Sequence, residues 1–423
     1  MIQSGAILDQ IRLRLLPHIT SDRLLPPRAI DCLDGLCPLL RVVPKNDEEI
    51  AQVLGAASQE GWRVLPVGGG THQQVGDVAY PYEICLDMSQ LNQILDYQPE
   101  DLVVTVQAGM TWQALTDHLY KYGQRIPLEV ANAIEATVGG VLSVNASGPQ
   151  RHAYGTARDW LVGLQVVTPE GAIMHTGGKV VKNVAGYDLN KLYIGALGTL
   201  GVITSATFKV APRPERELLL AYPSEDIPSL FQVYGALKQQ GVIFSSLEII
   251  SPLEARARGW AFAWHLIFTL ADSQAATEEL LKRVGQVLGM DPVAFIQEFV
   301  MPYQSPSGDV LFKGTMRPGL LRSIFIQLQA DMGLGQVPLS LGMETGVVRI
   351  GAPLSQAKAA MSALRSIFEE SGGSFVVEKA TTSFRRDVSV WGSSRSSWSL
   401  MQKLKAELDP TGTMVQGRFV ARI

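Results

Sequence analysis

Apolar residues recur along this chain with two different periods, and an element begins or ends where the period changes. Arg41-Val42-Val43-Pro44 is a short extended run. Asn46 then takes the cap position of a helix, with Glu49 three residues on in the capping-box arrangement. Ile50, Val53, Leu54 and Ala57 fall on one face of that helix, and Gly61 ends it. Trp62 to Val67 reads as the next strand and runs directly into Gly68-Gly69-Gly70. Further strands are predicted near 83–87 and 102–107, a helix over 111–122 closed by Gly123, and strands at 161–168, 173–176 and 201–210.

The pattern changes after Pro212 and Pro214, which are followed by the charged run Glu215-Arg216-Glu217. From about 217 to 395 short apolar strands alternate with helical stretches near 226–239, 273–288 and 355–371. That alternation predicts an α+β layer, with helices on one face of a mostly antiparallel sheet. A helix over 396–408 and the turn Asp409-Pro410-Thr411-Gly412 close the chain. The expected organisation is therefore an N-terminal helical segment (1–40), a first domain (41–212), an α+β second domain (213–395) and a C-terminal segment (396–423).

Size and composition narrow the class. At 423 residues the chain is too long for one ordinary core. Its net charge is −4, without runs of like charge, so the basic stripe of a nucleic-acid binder is missing. The start of the chain reads as an amphipathic helix rather than a signal peptide, and no apolar stretch approaches the ~20 residues of a membrane span. The expectation is a soluble cytoplasmic protein that meets a membrane only through partners. Three cysteines, Cys32, Cys37 and Cys85, make no disulfide framework and fall short of the four thiolates of an iron–sulfur cluster. They are expected to be reduced.

Three glycine clusters are the candidate chemistry. Gly68-Gly69-Gly70-Thr71 follows a strand, where glycines let a backbone take positive φ and its N–H groups converge on phosphate oxygens; an ordinary tight turn is the competing reading. Ala136-Thr137-Val138-Gly139-Gly140 with Asn145-Ala146-Ser147-Gly148 would let backbone lie against a flat ring, or equally pack a helix closely on a strand. Gly195 to Thr204 reads as a glycine turn feeding a buried strand. A dinucleotide fingerprint fails on spacing at Gly68, and a P-loop fails because Val180 follows Gly177-Gly178-Lys179.

The order of these clusters carries more than any one of them. Pro66–Thr71, Thr137–Gly148, Tyr154-Gly155 with Asp159, Gly186–Leu189 and Gly198–Thr204 together resemble the vanillyl-alcohol-oxidase-type (PCMH-type) FAD domain, over about 41–212. The string from Gly178 to Leu189 narrows the resemblance to the flavin subunits of bacterial glycolate oxidase (glycolate dehydrogenase). The resemblance implies an α+β fold, with a two-lobed PCMH-type FAD-binding domain and an α+β cap over the isoalloxazine. It implies that Pro66, Val67, Gly68, Gly69, Gly70, Thr71 and His72 wrap the FAD pyrophosphate. Ala136, Thr137, Gly139, Gly140, Ser143, Asn145, Ala146, Ser147 and Gly148 would line the other side of the cofactor, and Gly201, Val202 and Ile203 would offer backbone groups. Asp409-Pro410 with Gly417-Arg418 resembles the family's closing segment, which returns to the FAD domain.

Departures from the family shape the functional expectation. Thr71 stands where covalently flavinylated relatives carry histidine, with His72 one later, so FAD is expected to be noncovalent. Leu197 replaces a glutamate of the larger hydroxy-acid dehydrogenases, and no histidine lies beyond His265, so their metal site is not expected. Hydroxy-acid oxidation needs a cation for the carboxylate and a base for the hydroxyl proton. Lys182, Arg317 and Arg349 are candidates for the first and His265 for the second. Each is read more simply as a surface, ion-paired or packed residue, so no catalytic residue is assigned. The leading expectation is an FAD subunit of a 2-hydroxy-acid-oxidising complex, working with a paralogous FAD subunit and passing electrons to an iron–sulfur subunit. A stand-alone oxidase of another hydroxy acid or alcohol and a non-catalytic structural subunit are the alternatives.

Overall fold

The computed structural model describes residues 2–178, 188–297, 304–332 and 334–423. Lys182, Gly186 and most of the string from Gly178 to Leu189 lie outside the described residues.

The helix expected after Asn46 runs Asp47–Glu60; the Asn46 side chain accepts from Glu49 N–H, and Gly61 closes the helix in the left-handed region at φ 73°. It covers a four-stranded sheet in the order Leu24–Leu25, Leu40–Val42, Ile84–Asp87, Val64–Val67. The last three strands are parallel. The N-terminal segment joins this layer: Ile11, Leu15 and Ile19 pack with Ile50, Val53 and Leu54 in one core, and Leu24–Leu25 pairs antiparallel with Leu40–Val42. A second, antiparallel sheet runs Ile94–Gln98, Val103–Gln107, Val202–Lys209, Leu161–Val167, Ile173–Gly177.

After Ala211–Pro212 the chain enters an eight-stranded sheet in the order Ile296–Gln297, Arg216–Ser224, Trp264–Asp272, Ser246–Ile250, Leu339–Gly342, Val347–Ala352, Val310–Thr315, Ser374–Lys379. Every pairing in it is antiparallel. Leu230, Leu280, Phe325 and Leu364, from four helices, share a core with Phe268, Phe312 and Ile350 of the sheet. That leaves the other sheet face turned partly toward the first half of the chain. The C-terminal segment returns to the first sheet, where Val64 N–H donates to Thr413 O at 2.8 Å and Val415 N–H to Val64 O at 3.1 Å.

The thiol expectation is corrected in part. Leu33 and Leu36 pair across a tight turn, with Asp34 and Gly35 at φ 58° and 81°. The turn brings the Cα atoms of Cys32 and Cys37 to 4.2 Å, and the two are joined as a disulfide. Cys85 is a buried free thiol, which burial holds protonated. Among the described residues no helix is long and apolar enough to cross a membrane.

Candidate functional site

A single cleft collects most of the glycine-rich segments. It is lined by Pro66–His72, by Thr137, Gly139, Gly140 and Ser143, and by Gly201–Ile203. The first two segments touch. A Cβ on Gly68 would lie 2.0 Å from Thr137 Oγ1, and one on Gly69 would lie 1.7 Å from Glu135 O. Only Gly70 of the three has a positive φ, 66°. Gly68 and Gly69 are therefore fixed by close approach of two backbone segments, and the left-handed freedom expected of all three is used once.

The second segment is a helix, which its small residues had not announced. Thr137 caps Val138–Val144 and accepts from Gly140 N–H at 3.3 Å. Gly139 N–H donates to Ala108 O at 2.7 Å and Leu197 N–H to Ser143 O at 2.9 Å, which fixes the helix between the second sheet and the Gly195–Gly201 turn. The expected site residues then divide. Ala136 is buried behind the wall, its carbonyl accepting from Trp112 N–H at 2.7 Å. Asn145, Ala146, Ser147 and Gly148 run on past the end of the helix and are not part of the cleft lining. Asn145 ends the helix in the left-handed region, and its Oδ1 is fully buried with no hydrogen-bond partner among the described residues. Leu33, Gln73, Met88, Ala108, Leu197 and Arg418 also line the cleft and were not anticipated. Leu197 and Arg418 stood inside motifs already recognised; Leu33, on the disulfide hairpin, carried no signal.

Beyond Ser147 the chain meets the polar face of the eight-stranded sheet. Arg349 Nη2 donates to Ser147 O at 3.4 Å, and Arg151 Nη1 to Ser147 Oγ at 3.3 Å. Arg349 Nε and Nη2 also hold Glu378 at 2.8 and 3.3 Å, and Lys313 Nζ lies 3.7 Å from the same carboxylate. These three sit on neighbouring strands, with Lys313 directly opposite Arg349 in the register. Burial pushes the Glu378 carboxyl up, but Arg349 and Lys313 more than offset this and hold it below the ordinary range. Burial lowers both Lys313 and Arg151, and each is lowered further by the Arg349 charge. Glu378 is within electrostatic reach of His72 in the cleft wall, whose imidazole burial holds toward neutrality. Arg349 and Lys313 thus hold Glu378, Arg151 joins Arg349 at Ser147, and the buried Glu248 carboxyl also feels the Arg349 charge.

The other nominated residues lie elsewhere. Arg317 is exposed ahead of the helix Pro318–Met332. His265 is buried in the large sheet, with Nδ1 2.9 Å from Ala263 O and its ring against Trp260. Arg349 is ion-paired, as the simpler reading had it, yet it also stands at the site. Among the described residues no group of three or more His, Cys, Asp or Glu side chains is placed to hold a metal ion.

The cleft fits FAD on its backbone wall, which has no room for side chains at Gly68 and Gly69; Asn145 Oδ1, a buried acceptor without a donor among the described residues, lies just past it in the chain. Comparisons with known proteins agree. Residues 38–177 match the family described as FAD binding domain. D-2-hydroxyglutarate dehydrogenase of Xanthomonas citri pv. viticola is 37% identical over 48% of this chain and 43% of its own length. Glycolate oxidase subunit GlcD of Bacillus subtilis is 33% identical over 49% of this chain and 44% of its own length. The chain thus spans less than half the length of these curated relatives. Among solved structures, alkyldihydroxyacetonephosphate synthase superposes with a TM-score of 0.73 at 17% identity, over 96% of this chain and 84% of that one. p-Cresol methylhydroxylase superposes with a TM-score of 0.70 at 15% identity, over 96% of this chain and 95% of that one. Residues 38–177 thus carry the match to the FAD binding domain family, and the chain has the fold of these solved structures, p-cresol methylhydroxylase among them.

Proposed function

We propose that this chain is the FAD-binding subunit of a complex that oxidises a 2-hydroxy acid, in the manner of the E subunit of bacterial glycolate oxidase. The observation that carries the reading is the pairing of Arg349 and Lys313 with Glu378, with Arg151 joining Arg349 at Ser147 at the end of the cofactor-wall helix. A buried, cation-rich site attracts an anion, and a 2-hydroxy acid presents one beside the carbon to be oxidised. Bound FAD would supply the two-electron acceptor. Arg349 and Lys313 would orient the substrate carboxylate, and Glu378 would fix the two cations in register before substrate arrives. The glycine wall would hold the cofactor without a covalent bond, since Thr71 stands where covalently flavinylated relatives carry histidine.

The fate of the electrons argues for a partner. One free thiol and one disulfide among the described residues cannot hold an iron–sulfur cluster. A separate iron–sulfur subunit, with a paralogous flavin subunit, would take the electrons on, in the cytoplasm or at the inner membrane face through those partners. The test is anaerobic mixing of the FAD-loaded chain, alone and co-expressed with such partners, with glycolate, D-lactate and D-2-hydroxyglutarate. Bleaching of the flavin band by at least one acid in the complex is expected, with Arg349→Gln slowing it at least tenfold. Bleaching by the chain alone would make it a stand-alone enzyme; no bleaching in either form would overturn the assignment.

A further inference from the structure

We propose that Arg418 is the counter-cation of the FAD diphosphate, delivered to the glycine wall by the C-terminal segment. Arg418 follows Gly417, which has φ 94°, and its side chain lines the cleft together with Gly68, Gly69 and Gly70. Nη2 donates to the carbonyls of His72, Gln73 and Val75 at 3.3, 3.3 and 3.1 Å. That one nitrogen gathers the chain immediately after the phosphate-facing loop. Nε is fully buried and has no hydrogen-bond partner among the described residues. A buried guanidinium N–H without a partner is a donor in want of an acceptor.

The charge balance points the same way. The carboxylate acting most strongly on Arg418 is Asp34, with Arg385 opposing it. Asp34 is already committed: it forms an ion pair with fully buried Arg385, accepts from Thr382 Oγ1 at 3.1 Å and from Ala79 N–H at 2.9 Å. Asp77, the other carboxylate close to Arg385, is held toward its neutral form by burial. Two buried arginines therefore share one committed carboxylate. Burial lowers Arg418 to about 10, the direction expected of a cation lacking its own counter-ion. The diphosphate carries the missing negative charge, and only FAD's diphosphate, not its ring, would be drawn to this group. Arg418 reaches the cleft only when the segment around Met414–Val415 is docked along Val64. Cofactor binding and docking of the C-terminal segment are then one event.

The test separates diphosphate recognition from loop shape, and it is independent of which acid the complex oxidises. Dissociation constants for FAD, ADP and riboflavin are measured on the full-length apoprotein by tryptophan-fluorescence quenching, for the wild type, Arg418→Gln and Arg418→Lys. A charge-assisted hydrogen bond carries roughly 1.5–3 kcal/mol, about ten- to a hundredfold in affinity. Arg418→Gln should weaken FAD and ADP by that factor and change riboflavin less than twofold, with Arg418→Lys in between. Unchanged FAD and ADP affinity, or equal weakening of all three ligands, would overturn the proposal. If the Gln variant does not fold, Arg418→Lys is read by the same ratio: selective loss of the diphosphate ligands supports the role, and equal loss refutes it.

Discussion

Glu378→Gln isolates the anion site in a single atom exchange. The carboxylate is held by Arg349 at 2.8 Å and Lys313 at 3.7 Å, and the three side chains are 7–25% exposed, too enclosed to be screened away by solvent. Two unit charges about 4 Å apart interact by about 4 kcal/mol at an effective dielectric constant near 20. Removing one partner of a buried pair costs ~3–5 kcal/mol, because the other charge stays behind. Gln keeps an acceptor for Arg349, so a loss of about 2–3 kcal/mol is expected. For a unit of the size of the second domain this lowers the melting temperature by roughly 5–10 °C. The sign with pH follows from the depressed carboxyl of Glu378. Its contribution is complete above the unfolded carboxyl's range and is lost as pH falls through the lower folded value. Glu378→Gln should therefore be less stable than the wild type near neutrality and converge with it in acid. Because the variant leaves Arg349 and Lys313 without the Glu378 carboxylate, oxalate should stabilise it more than it stabilises the wild type; at a hundred times its dissociation constant a ligand adds about 2.7 kcal/mol. Differential scanning fluorimetry from pH 3 to 8, with and without oxalate, reads all of this. Equal melting temperatures at pH 7, or equal oxalate shifts in the two proteins, would refute the reasoning.

Other consequences can be measured separately. Gly69→Ala puts a Cβ 1.7 Å from Glu135 O; the two wall segments must part, and purified protein should contain no flavin, as absorbance at 450 nm will tell. Glu129, whose carboxyl burial pushes up to about 8, accepts from Gln150 N–H at 2.6 Å. Its proton is bound more tightly folded than unfolded, so stability falls as pH rises from the unfolded value toward 8. Glu129→Gln should match the wild type at pH 5 and exceed it at pH 9 in urea titrations. Opening the Cys32–Cys37 disulfide frees a six-residue loop whose closure is worth about 2 kcal/mol in the chain-entropy account. Because Leu33 lines the cleft, Cys32→Ser with Cys37→Ser should release FAD several-fold faster in stopped-flow fluorescence. Acid precipitation should leave all flavin in the supernatant, whereas flavin in the pellet would mean a covalent link.

Local signals carried the fold a long way. Asn46 and Gly61 marked a helix whose ends they cap in the structure, while the Glu49 side chain closes no capping box and accepts from Lys45 N–H and Arg23 instead. The strand Val64–Val67 and the loop after it were legible because apolar alternation ends abruptly in glycine. The helix Val138–Val144 was not, because two glycines inside it argue against helix on propensity, and close packing on Ala108 overrides that. Arg349 was visible as a lone charge in the apolar run Val347–Ile350, and its ion pairing was anticipated. Its position at the site was not, since Lys313, Glu378 and Arg151 meet it only through strand register and the contact between the two halves. Arg418 was likewise seen as part of a motif, but its reach into the cleft depends on a segment folding back to Val64.

The Arg349–Lys313–Glu378 cluster would receive an anion against FAD held on the glycine wall. Titrating the FAD-loaded chain with oxalate, while recording the visible flavin spectrum, tests this most directly. A saturable shift of the flavin bands is predicted, weakened at least tenfold in Arg349→Gln. A spectrum indifferent to oxalate, or a shift that Arg349→Gln leaves unchanged, would contradict it.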